Sequence, residues 1–208
     1  MKQKILVATT NKGKLAEFAA MLSDEVEWLG LDDFADIPEV VEDGNTFEQN
    51  ARKKALGYAR ATGLWTLADD SGLVVDALGG EPGVKSARYS GEVDKSKPRE
   101  VFDWKNMQKV LEKLQGLERQ RRSCRFVCSL CLADSERVLL QTQGIVEGFI
   151  ADKPSGENGF GYDPVFYLPD YDRTVAQLSS EEKNLISHRG RAIRKLMPEL
   201  ANLLASNA

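Results

Sequence analysis

The sequence predicts an α/β protein built on a mixed sheet. Strand-like apolar runs and helical apolar stripes alternate along the whole chain, the mark of layered α/β architecture. Two long alternating segments, about 123–133 and 136–149, face each other across Asp134-Ser135 and read as an antiparallel hairpin. With 208 residues, 42% of them hydrophobic, the chain suffices for one domain over 1–208 with a sizeable core.

Residues 4–10 read as a buried strand. Asn11 then caps a helix to about Leu22, with Leu15, Phe18, Ala19 and Leu22 as its stripe. A short strand follows near Val26–Leu29, then an acidic loop over 36–45. Thr46 opens the next helix, and Gln49 three residues on makes a capping box. That helix runs to about Thr62, with Phe47, Ala51, Ala55, Tyr58 and Ala59 facing inward. A strand ends at Asp69-Asp70, a turn follows through Ser71-Gly72, and another strand begins near Leu73. Gly79, Gly80, Pro82 and Gly83 mark a loop. Asp94 to Arg99 reads as solvated loop and helix start, Arg99 to Leu114 as helix, and Trp104 as solvated. After the hairpin come a glycine-rich stretch and a short strand near Val165–Tyr167. The last helical region starts at Ser180, with Ser179 and Glu182 as a second capping box. Its stripe is Ala192, Ile193, Leu196, Leu200 and Leu203, and Pro198 predicts a kink or break.

The net charge of −4 and the pI near 5.3 argue against a general nucleic-acid binder, which carries a basic face. No run of 18 apolar residues marks a membrane span, and the N-terminal apolar run is too short for a secretion signal, so a cytoplasmic location is expected. Cys124, Cys128 and Cys131 are spaced superficially like metal ligands. Strand alternation instead puts Cys124 and Cys128 on one face with Phe126 and Leu130, and Cys131 on the other.

Four constellations carry chemistry. Thr9-Thr10-Asn11-Lys12-Gly13-Lys14 joins a buried strand to a helix N-terminus, where backbone N–H groups and lysines suit a phosphate. It is not a Walker loop, which needs G-x4-G-K-[ST]. On the second helix Lys54 lies near the buried face, with Asn50 one turn earlier, either snorkelling or aimed at an anion. The loop before it carries Glu42 and Asp43, hard oxygen ligands for Mg²⁺. In Gly159-Phe160-Gly161-Tyr162-Asp163-Pro164, glycines flank aromatics, an arrangement for stacking on a base or for plugging a core. Ser187-His188-Arg189 holds the single histidine, with Lys183 five positions earlier. These supply donors suited to purine carbonyl oxygens. Between them stands Ala68-Asp69-Asp70-Ser71-Gly72, an acidic pair set between apolar runs, where a charge needs a cation, donors or water.

Together with Thr46-Phe47-Glu48-Gln49-Asn50-Ala51, Leu78-Gly79-Gly80-Glu81-Pro82-Gly83 and Ser86-Ala87-Arg88-Tyr89-Ser90-Gly91, these segments resemble the inosine triphosphate pyrophosphatase family, also called HAM1-like or RdgB-like. The resemblance spans nearly the whole chain in the expected order. It implies an elongated mixed β-sheet flanked by helices, two lobes around a central nucleotide cleft, and a homodimer. It implies Mg²⁺-dependent hydrolysis of deaminated purine nucleoside triphosphates (ITP, dITP and XTP) to monophosphate and pyrophosphate, which keeps them out of DNA and RNA. By the same resemblance Asp70 is the catalytic acid, acting as general base and metal-site residue, and Glu42 is the second metal candidate. Val41 stands where the family often has another acid. Thr9 to Lys14, Lys54, Ser71 and Lys183 fall around the nucleotide, and Phe160 to Asp163 with His188-Arg189 around base and ribose. A Maf-like phosphohydrolase is argued against by the Phe160-Gly161-Tyr162 and Ser187-His188-Arg189 motifs. A haloacid dehalogenase-type enzyme is argued against by the missing D-x-D-x-[ST]. A non-catalytic nucleotide sensor would bind nucleotide without releasing pyrophosphate.

Overall fold

The computed structural model describes residues 2–34, 36–91, 94 and 96–206, so Lys95 of the charged 94–99 segment lies outside it. The elements are β1 (Lys4–Val7), α1 (Lys12–Met21), β2 (Glu27–Gly30), α2 (Phe47–Thr62), β3 (Trp65–Val75), α3 (Arg99–Lys113), β4 (Ser123–Ala133), β5 (Val138–Ile150), β6 (Phe166–Leu168), β7 (Arg173–Thr174), α4 (Ser180–Ile186) and α5 (His188–Ser206). Seven strands join in the order β2-β1-β3-β4-β5-β6-β7. β1 pairs parallel with β2 and β3, whereas β6 pairs antiparallel with β5 and β7, so the sheet is mixed as predicted. Asp134 shapes the β4–β5 hairpin: its Oδ1 accepts the Glu136 and Arg137 N–H groups at 2.8 and 2.7 Å.

Capping residues fix most boundaries. The Asn11 side chain accepts the Gly13 and Lys14 N–H groups at 2.9 and 3.3 Å and starts α1. Thr46 caps α2 by accepting the Gln49 N–H at 3.1 Å. The Gln49 side chain accepts the Asn45 N–H at 2.8 Å, so the box closes one residue outside the expected pair. Ser179 and Glu182 form the full reciprocal box at α4.

Four expectations are corrected. The first strand ends at Val7, not residue 10, because the Thr9 N–H turns back to the Val7 carbonyl at 3.0 Å. On α1 the buried face is Glu17 and Phe18, and Ala19 is exposed. α5 is not broken at Pro198, and the break falls at Ser187, whose N–H closes α4 on the Lys183 carbonyl at 2.8 Å. Most consequentially, no turn follows Asp69-Asp70: β3 is one strand of 11 residues straight through the pair. Gly72 serves close approach rather than a turn, since a Cβ there would meet Ser86 Oγ at 2.3 Å. The Ser86 hydroxyl accepts the Leu73 N–H at 2.9 Å.

The chain divides into two compact units of discontinuous stretches. The first unit comprises residues 1–70, 128–144 and 188–208; the second comprises 71–127 and 145–187. In the first unit, alternation along β1 serves two layers. Ile5 and Val7 pack with Phe18 of α1, Cys128, Leu130 and Leu132 of β4, and Ala192, Ile193, Leu196 and Leu200 of α5. Leu6 and Ala8 pack on the opposite face with Ala51, Ala55 and Tyr58 of α2 and with Cys131 and Ala133. The second unit packs Leu73, Val75, Phe126, Val146, Ile150 and Phe166 against Met107, Val110 and Leu114 of α3. The Phe126 and Phe166 rings stack with centroids 4.2 Å apart. Among the described residues, no helix is long and apolar enough to cross a membrane.

Candidate active site

The continuous strand decides where the acidic pair points. Leu67 belongs to the α1/α5 layer and Ala68 to the α2 layer, and the period of two carries Asp69 and Asp70 to those same faces in turn. Asp69, 1% exposed, meets Lys14 Nζ of α1 at 2.7 Å and the Arg189 guanidinium of α5 at 3.1 Å. Arg189 also pairs with Glu17 of α1. Asp70 meets α2, where the Asn50 side-chain amide donates to its Oδ2 at 2.9 Å. Asn50 Oδ1 accepts the Gly44 N–H at 2.7 Å and so ties the acidic loop to the same helix. That approach needs glycine, since a Cβ on residue 44 would lie 2.6 Å from Asn50 Oδ1. Lys54 donates to the Asp69 carbonyl at 2.7 Å and lies 3.4 Å from Glu42. Asp43 points elsewhere, to Lys53 at the surface.

The two neighbouring carboxyls are pushed in opposite directions. Burial works to raise Asp69, but Lys14, Arg189 and Lys54 outweigh it and hold Asp69 well below the usual carboxylate range. Burial pushes Asp70 up to about 6; the Asn50 hydrogen bond opposes this rise and the Glu42 charge adds to it. Lys14 is lowered by burial, against the pull of Asp69. Burial also disfavours the Lys54 ammonium, but Asp69, Glu42 and Asp70 overcome this and raise it. A locked anion beside a carboxylate poised near neutrality is how one site separates a structural charge from a proton acceptor.

The rest of the first-unit set is at the strand–helix junction. Thr9 is buried and its hydroxyl accepts the Asn11 N–H at 3.2 Å, whereas Thr10 and Lys12 are exposed and Gly13 is half-buried. The first turn of α1 carries no acidic residue, which leaves its electrostatics open to an anion. His188 is buried at the start of α5.

In the second unit Ser71 is half-buried on β3. The Phe160–Asp163 loop is held by its own acid. Asp163 Oδ2 accepts the Phe160 N–H at 2.8 Å and lies 2.6 Å from Lys183 Nζ. Lys183 sits 4.5 Å from the centroid of the half-buried Phe160 ring. Tyr162 is buried, and its hydroxyl donates to the Ser86 carbonyl at 2.8 Å.

The sequence reading groups Lys14, Lys54, Glu42 and Asp70, and the folded chain brings them into one neighbourhood. It places Arg189 at the base, whereas the guanidinium lies in a buried charge cluster with Glu17 and Asp69. It names Asp69 and Asn50 without giving either a role, and it overlooks Glu17. Asn50 and Glu17 do carry a signal: each is a polar residue inside a helical apolar stripe.

A divalent cation fits the first-unit residues. Glu42 and Asp70 supply two carboxylates, and the Glu42 charge helps push Asp70 up, a cost that a cation relieves. Among the described residues no group of three or more His, Cys, Asp or Glu forms a metal cage. One or two carboxylates completed by substrate phosphates is the usual way that Mg²⁺ is held.

The Ham1 family profile matches residues 5–199. The dITP/XTP pyrophosphatase of Shouchella clausii is 46% identical over 93% of this chain and 94% of its own length. That of Geobacillus kaustophilus is 49% identical over 93% and 92%. Among solved structures, the Ham1 protein of Staphylococcus aureus superposes with a TM-score of 0.83 at 41% identity, covering 96% of this chain and 99% of that one. A HAM1 protein from Coxiella burnetii gives 0.84 at 42% identity, with coverage of 96% and 99%.

Proposed function

Because this chain belongs to the Ham1 family, we propose that it hydrolyses deaminated purine nucleoside triphosphates (dITP, XTP and ITP) to the monophosphate and pyrophosphate. The observation that carries the mechanism is the splitting of the adjacent acids: Asp69 locked in ion pairs, Asp70 raised to about 6. Above that pH Asp70 is ionised and takes the proton of a water attacking the α-phosphorus. Lys14 and Lys54 draw the phosphate charge, and the α1 N-terminus orients it. Glu42 and Asp70 would hold Mg²⁺, which, when bound, stabilises charge on the phosphate oxygens.

The Phe160 ring takes the purine face, and Lys183 with Asp163 fixes that ring. Hypoxanthine and xanthine offer an acceptor at the six position, where adenine offers an amine. Arg189 is committed to Glu17 and Asp69, which leaves His188 and backbone N–H groups as the donors in this reading. A donor left facing the adenine amine costs about 1–3 kcal/mol. Relatives named for dITP and XTP support this selectivity. The family resemblance further supports a cytoplasmic homodimer guarding the nucleotide pool.

Isotope placement tests the reaction. Hydrolysis of dITP in ¹⁸O-water is expected to give dIMP and pyrophosphate in equal amounts, with the label in dIMP. Label in pyrophosphate, or release of inorganic phosphate with dIDP, would overturn attack at the α-phosphorus.

A further inference from the structure

Asp103 stands on α3, outside the residues given a role in the proposed function. Its neighbours on the helix face are the buried Phe102, Asn106, Met107 and Val110, and its own side chain is only 14% exposed. A carboxylate there needs donors. Among the described residues, the Gly161 backbone N–H donates to Oδ2 at 3.1 Å, and Arg99 one turn earlier forms an ion pair with Oδ1 at 3.7 Å.

The Gly161 N–H belongs to the peptide that follows Phe160. The preceding one, the Phe160 N–H, goes to Asp163 at 2.8 Å. The backbone on both sides of the Phe160 ring is therefore anchored to carboxylates, one inside the loop and one on α3. The glycine has φ +64°, a conformation it reaches freely and leaves as freely, so an external anchor matters there.

We propose that Asp103 is a positioning residue for the purine: by holding the Gly161 N–H it sets the Phe160 ring in its stacking orientation. This rests on the assignment of Phe160 to the base. Asp103 touches neither the phosphates nor the reacting atoms. It acts on binding that is equal in ground and transition states, which moves KM and leaves kcat in place.

The test is steady-state hydrolysis of dITP by Asp103→Ala, Asp103→Asn, Phe160→Ala and the double variant Asp103→Ala/Phe160→Ala. For Asp103→Ala we expect KM to rise about tenfold, the scale of one lost hydrogen bond to a charged group, with kcat within about twofold. Asp103→Asn keeps an acceptor oxygen and is expected to restore KM. The double variant is expected to match Phe160→Ala, since residues acting through one contact are not additive. A kcat loss shared by both Asp103 variants, full additivity with Phe160→Ala, or an unchanged KM would each overturn the inference while the base assignment stands. A wild-type enzyme that turns over dITP with the same KM as Phe160→Ala would remove the base assignment, and the inference with it.

Discussion

Asp69 and Asp70 are adjacent in sequence and opposite in physics. Asp69 balances Lys14 and Arg189, so replacing it removes the carboxylate that both buried cations share, and Glu17 remains for Arg189. Breaking a buried pair in this way typically costs about 3–5 kcal/mol. Asp69→Ala is therefore expected to unfold at markedly lower urea than the wild type. Asp70 is different: burial already disfavours its charge, so Asp70→Asn removes a cost and keeps an acceptor for Asn50. That variant should unfold at the wild-type urea concentration or above, while its turnover of dITP falls by about 10²–10⁴, the usual contribution of a general base. A stable, active Asp70→Asn would remove Asp70 from the chemistry. The pair itself was conspicuous in the sequence, because two acids between apolar runs demand compensation. Their division of labour was not, since it depends on which helix each face meets.

At the scale of elements, caps and alternation were legible. Asn11, Thr46 and Ser179 each start a helix where the sequence places one. The misread turn at Asp69-Asp70-Ser71-Gly72 has a physical cause. Asp, Ser and Gly are turn formers only when nothing else claims them, and here Lys14, Arg189, Asn50 and Ser86 do. Pro198 likewise fails to break α5, whose apolar face is fixed by Ala192, Ile193, Leu196 and Leu200. Strand β4 yields a prediction of its own. All three cysteines are buried, and burial pushes Cys128 and Cys131 up to about 12 from an ordinary 9. The unfolded chain therefore ionises these thiols first. Their contribution to stability is whole below pH 9 and declines from there up to about pH 12. The urea midpoint should fall between pH 8 and about pH 10.5, and fall less in a Cys128→Ala/Cys131→Ala variant. An equal fall in both would show that other groups, not β4, set the alkaline limit.

On the scale of the whole molecule, the chain folds into two compact units with different polar inventories. The first holds Asp69, Asp70, Lys14 and Lys54; the second holds the Phe160–Asp163 loop. The order of motifs along the chain made the family legible, because those motifs are local. Long-range partners were not legible: Glu17 and Arg189 are 172 positions apart, and Asp103 and Gly161 are 58 apart. No periodicity links residues at such separations, so only the folded chain reveals them. Under the proposed function, the chain cleaves a deaminated purine triphosphate with the help of a divalent cation. The most direct measurement is pyrophosphate release from dITP and dATP side by side, with Mg²⁺ and then with EDTA. Rapid release from dITP is expected, with at least tenfold slower release from dATP, on the scale of about 1.4 kcal/mol, and loss of both on chelation. Equal rates on the two nucleotides, or undiminished release in EDTA, would contradict that function.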